Sequence, residues 1–196
     1  MNTDDYNLTQ EVSNETISSW AHRSYISEEL QAKLENVGAL IIPTEGYAGR
    51  NDVLHFPEGT EHLVSFLQAN NKPEDPKIDI CIEDGDYKEL AQHADLISIA
   101  SAIVNKIFAP TLVNLISEYL KRRLGKRTEE AVVKASLTVS DMNSGKSINL
   151  TYEGPATTYE KVMLDAVKGV LEQQIMPAQA TMMIDASSEI KSGGNE

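Results

Sequence analysis

Apolar and polar positions alternate most regularly near the end of the chain. Val133, Ala135, Leu137 and Val139 interleave with Lys134, Ser136 and Thr138, and Ile148, Leu150 and Tyr152 interleave with Ser147, Asn149 and Thr151. A period of two places alternate side chains on opposite faces and predicts two strands. The turn formers at 140–146 predict that 132–139 and 146–152 pair as an antiparallel hairpin. Ile78, Ile80 and Ile82 alternate with Asp79, Cys81 and Glu83 and predict a third strand. The apolar run 37–42, closed by Pro43, predicts a buried fourth. Elsewhere the spacing is helical. Ser27 followed by Glu28 and Glu29 opens a helix to about Glu35, with Leu30 and Leu34 on its inner face. Thr60 is read as the cap of a helix through about Asn70, with Leu63, Val64 and Leu67 inward. Thr157 and Glu160 form a capping-box pair ahead of Val162, Met163, Val167 and Val170.

The segment 96–120 is the most apolar of the chain. From Leu96 to Ser117 it has one charge, Lys106. It reads as one long hydrophobic helix kinked at Pro110. Its apolar residues would cover more than one face, more than a helix on a single sheet can hide. Ser98, Ser101, Asn105, Thr111 and Asn114 leave a wetter stripe, which favours a protein-covered helix over a membrane span. Ile103 and Ile107 are therefore expected to touch a partner. Five cations at 121–127, Lys121, Arg122 and Arg123 first, suit the helix C-terminus and extend this docking surface.

These elements predict an α+β two-layer sandwich: a roughly four-stranded sheet, helices on one face, and the long hydrophobic helix. The expected organisation is a mobile polar tail at 1–26, one domain at 27–176 and a flexible tail at 177–196. The 17-residue stretch 43–59 reads as a loop, and loops of that length often carry function. Within it, Tyr47 and Arg50 are the candidate recognition residues.

Charge and composition narrow the function. The 196 residues carry a formal net charge of −13, so direct nucleic-acid binding is not expected. A single cysteine excludes an internal disulfide. With no secretory pattern at the first residues, a cytoplasmic location is expected. Gly145-Lys146-Ser147 is not a phosphate loop, because Ser140 stands where a glycine is needed and a strand follows. The acidic cluster Asp79, Glu83, Asp84, Asp86 and Glu89 lacks EF-hand spacing. His22, His55, His62 and His93 show no metal-binding spacing, and Cys81 has no base near it in sequence. No catalytic residue, metal or cofactor is assigned, and the chain is expected not to be an enzyme.

The order strand, helix, strand, hydrophobic helix, hairpin, helix resembles the small effector-associated components of bacterial conflict (anti-phage defence) systems. Three features carry the resemblance: the apolar stretch Leu96–Leu120 ending in Lys121-Arg122-Arg123, the strand Lys134–Val139, and the Gly145 turn into Ser147–Tyr152. It implies a non-enzymatic accessory or adaptor subunit that binds a protein partner or a second copy of itself. Two alternatives remain: a membrane-associated component anchored through 96–120, and a small ligand sensor or enzyme using 43–59.

Overall fold

The alternation at 132–155 becomes the spine of the molecule. In the computed structural model, which describes residues 6–47, 50–91, 96–141 and 144–175, β9 (Val132–Asp141) pairs antiparallel with β10 (Lys146–Pro155), Leu137 opposite Leu150. The sheet built on this hairpin is larger than four strands. Seven strands form one mixed sheet: β1 (Asn7–Ser13), β10, β9, β8 (Ala102–Asn105), β2 (Val37–Ile41) and β5 (Lys77–Ile80) in spatial order, with β7 (Leu96–Ser98) also beside β9. β7 and β8 both run parallel to β9, and β2 runs parallel to β5 but antiparallel to β8.

Residues 96–120, expected as one kinked helix, do not form one. The first ten residues are β7 and β8, separated by Ile99–Ser101. The helix α4 (Ala109–Leu124) starts only afterwards, with Pro110 in its first turn. Proline is well placed there because the first amides of a helix have no internal partner. Ile97, Ile99, Ile103 and Val104 are β-branched, and a strand covered on both faces reads as a continuous apolar run, which periodicity alone does not separate from a buried helix. Ala102 and Val104 face one side, Ile103 the other, and all three are buried.

Helices lie on both faces of the sheet. On one, α4 packs beside α3 (Thr60–Asn70) and α5 (Tyr159–Ile175) over Ala39, Ile41, Val104, Leu137 and Leu150. On the other, α1 (Ile17–Ala21) and α2 (Glu28–Leu34) cover β2, and Trp20, Leu34, Leu40, Cys81 and Ile103 form a second core. The expectation of a mobile tail at 1–26 therefore fails from residue 7 onward. β1 adds an edge strand to β10, and Ile17, Trp20 and Ala21 are buried. The polar sequence of β1 hid this, because an edge strand over a sheet end needs few apolar residues; Val12 is 87% exposed. The expected tail at 177–196 lies outside the described residues.

The stretch 43–59 is not an unstructured loop either. It is a hairpin of β3 (Thr44–Tyr47) and β4 (Arg50–Pro57), to which β6 (Glu89–Leu90) adds in parallel as a small separate sheet. Gly46, with φ of 87°, sits at a register shift in β3 and makes room for it.

Candidate functional site

Among the described residues, α1 and α2 cover the β2 side of the second sheet face, and on that face no helix packs over the β9–β10 hairpin beside β7. There the outward side chains of the β9–β10 hairpin are hydroxyls, an amide and the Lys134–Glu153 pair in place of aliphatics. Asn149 donates through Nδ2 to Ser136 Oγ at 2.8 Å and to Thr138 Oγ1 at 3.0 Å. Thr151 Oγ1 donates to Asn149 Oδ1 at 2.9 Å. This cross-strand network spans two strands whose register is set by the turn, so the hydroxyls hold fixed positions.

A cavity of about 310 Å³ opens beside this network. The β3–β4 hairpin supplies Thr44 and His55 to its wall, and the interrupted strand supplies Ser98 and Ser101. Lys134, Ser136 and Thr151 come from the hairpin of β9 and β10. Apolar contacts at Phe56, Leu90 and Ile99 complete it. The break between β7 and β8 at Ile99–Ser101 borders the cavity. The chain there leaves the sheet and is held by Ile99 N–H donating to the Lys134 carbonyl at 2.7 Å, and by the Ser101 carbonyl accepting from Ile42 N–H at 2.9 Å. A volume near 300 Å³ lies at the small end of ligand sites.

The hairpin wall is anchored on two sides. Glu45 of β3 accepts a hydrogen bond from the Tyr25 hydroxyl at 3.1 Å and pairs with Arg23 at 3.6 Å, and the Arg23 guanidinium stacks on Trp20. Burial first, then the Glu45 carboxylate, raise the Tyr25 phenol above its ordinary value. On the other side Phe56 stacks on Tyr87 at 5.1 Å. Glu89 then ties β6 to α3. Its carboxylate accepts from the backbone N–H of Gly59 at 2.8 Å and of Glu61 at 3.0 Å, and from the Tyr87 hydroxyl. Gly59, at φ of 86°, is the N-cap position and has no side chain to do this, so the expected Thr60 cap is replaced by a carboxylate from 30 residues away.

The sequence-predicted site residues are not brought together. Ile103 has no exposed surface; it lies beneath α1 and α2 and is unavailable to a partner. Ile107 is 81% exposed, in the turn before α4. The basic end of α4 is largely engaged within the chain. Lys121 pairs with Glu160, Arg122 with Glu118 while lying over the Phe66 ring, and Arg123 donates to the Tyr119 hydroxyl. Glu160 accepts from both Lys121 and Ser117. Arg50 is exposed at the start of β4 and lies opposite Tyr47; the side chain of Tyr47 lies outside the described residues. Cys81 is buried in the second core, and burial, the leading cause, pushes its thiol up to about 12. It is not a nucleophile in the folded chain.

Among the described residues no three His, Cys, Asp or Glu side chains converge as a metal site. Among them, too, no helix is long and apolar enough to cross a membrane. Alternation in the sequence marks Lys134, Ser136 and Thr151 only as the polar side of a hairpin and carries no signal for the cavity. Comparison with protein-family models, with curated proteins and with solved structures finds no match to this chain.

Proposed function

We propose that the chain is a non-enzymatic accessory subunit whose working part is a small-molecule pocket beneath the β3–β4 hairpin. The observation that carries this reading is the coincidence of three features in one place. A cavity of about 310 Å³ lies over a polar stretch of sheet face, its hydroxyls are fixed by the Asn149 network, and its roof is a braced hairpin. A sheet face meant only to meet water has no need of a roof or a network. The adaptor reading based on an over-apolar helix loses its premise, because the aliphatic residues of 96–120 fill two cores of this same chain. What remains of it is the role. The resemblance to effector-associated components of conflict systems extends the proposal: a ligand held in the cytoplasm by this pocket would be the signal relayed to a protein partner.

The test is a thermal-shift screen of the full chain against small polar metabolites, repeated on Ser136→Phe, which fills the cavity. A ligand present at 100 times its Kd stabilises by ~2.7 kcal/mol, or ~5–10 °C for a chain of this size. A compound that raises Tm by this amount in the wild type and not in the variant supports the proposal. A screen in which every stabilising compound acts equally on both proteins, or in which none stabilises, overturns it.

A further inference from the structure

Resting on the pocket reading, we infer that the ligand is a small anion that also carries a hydroxyl group, of the hydroxy-acid or sugar-phosphate class, held by Lys134, His55 and Ser136. The chain has 30 aspartates and glutamates, yet among the described residues none lines this cavity, while Lys134 and His55 enter from different walls. In so acidic a protein, a wall whose described lining holds a cation and no carboxylate favours an anion over a cation.

The hydroxyl network adds direction. Ser136 Oγ accepts from the Asn149 amide, which leaves its own proton for an acceptor in the cavity. Thr151 is the reverse: its proton goes to Asn149 Oδ1, so it offers lone pairs to a donor. An anionic oxygen satisfies the first and a ligand hydroxyl the second. Lys134 can turn to such a ligand at little cost. Its present partner is Glu153, directly opposite on β10 at 3.4 Å, and both side chains are about half exposed. Pairs of that kind contribute little. A hydrogen bond between an ammonium and an anion in a half-enclosed cavity is stronger.

The experiment uses the ¹⁵N-labelled full chain and four probes: glycerol 3-phosphate, malate, glycerol and ethanolamine. Glycerol 3-phosphate, malate or both are expected to move the amide signals of Ser98, Lys134 and Ser136. Lys134→Met and Ser136→Ala, each shown by circular dichroism to be folded, are expected to weaken that binding at least ~10-fold. Glycerol and ethanolamine are expected to leave these signals in place. If glycerol or ethanolamine moves them and the anions do not, the anion inference is overturned while the pocket reading stands. Anion-induced shifts confined to Lys126 and Arg127, or unchanged affinity in both variants, also overturn the inference. If no probe moves the pocket signals the inference falls, and the metabolite screen above decides the pocket separately.

Discussion

Removing the Glu89 carboxylate should loosen the roof of the pocket and the start of α3 together. The helix begins at Gly59 with no capping side chain of its own, and Glu89 accepts two of its free amides at 2.8 and 3.0 Å. Loss of a cap costs ~1 kcal/mol, and loss of a negative charge at a helix N-terminus costs a further ~0.3–1 kcal/mol. The Tyr87 hydroxyl is also left without its acceptor, at ~0.5–1.5 kcal/mol. Because Glu89 is partly exposed, water recovers some of this, and about 2 kcal/mol is expected for Glu89→Ala, or ~4–8 °C in Tm. Glu89→Gln keeps a carbonyl acceptor but not the charge and should fall between the two. The pH dependence has a definite sign. Burial pushes the Glu89 carboxyl up, but hydrogen bonds from Tyr87 and from the amides of Glu61, Gly59 and Thr60 together outweigh it, so the folded value lies below the ordinary 4.5. A depressed folded pKa contributes stability that is fully present above the unfolded value and lost as pH falls through the folded one. The gap between wild type and Glu89→Ala, followed by circular dichroism melts, should therefore be complete at neutral pH, narrow below about 4.5, and close in stronger acid. An Ala variant that melts with the wild type at pH 7, or a gap that persists unchanged in acid, would refute the account of Glu89 as the distant cap.

Tyr159 is fully buried and its hydroxyl has no hydrogen-bond partner among the described residues. Tyr159→Phe removes that unmet group while keeping the ring against Tyr152, so Tm should hold or rise by a degree or two; a drop equivalent to more than ~1 kcal/mol would show that the hydroxyl is satisfied after all. Cys81, with its thiol raised by burial, should react with a disulfide reagent only when the chain opens, so the rate in native buffer should follow unfolding and reach stoichiometry at once in denaturant. Immediate labelling of the native protein would contradict the second core.

Local rules decided a large share of the fold. Alternation specified β9 and β10 and even their pairing, because a hairpin needs only neighbouring residues and a turn between them. Ser27 caps α2, accepting from Leu30 N–H, as its side chain and position require. Thr60–Asn70 is the helix its spacing describes. The tertiary structure decided whatever depended on partners far along the chain. Leu96–Ser98 and Ala102–Asn105 are strands because β9 pairs with both, and Ala102, Ile103 and Val104 are buried in the two cores; their own β-branched residues permit that outcome without requiring it. Residues 7–13 are strand only because the outer edge of β10 accepts them. The pocket is the extreme case. Ser136 and Thr151 carry the same alternation as any solvent-facing side of a hairpin, and His55 sits in a stretch that reads as loop. They meet because the chain breaks at Ile99–Ser101 and because Glu45 and Glu89 brace the hairpin over the gap. Periodicity records which face a side chain takes, and what stands opposite that face is set by contacts between residues tens of positions apart.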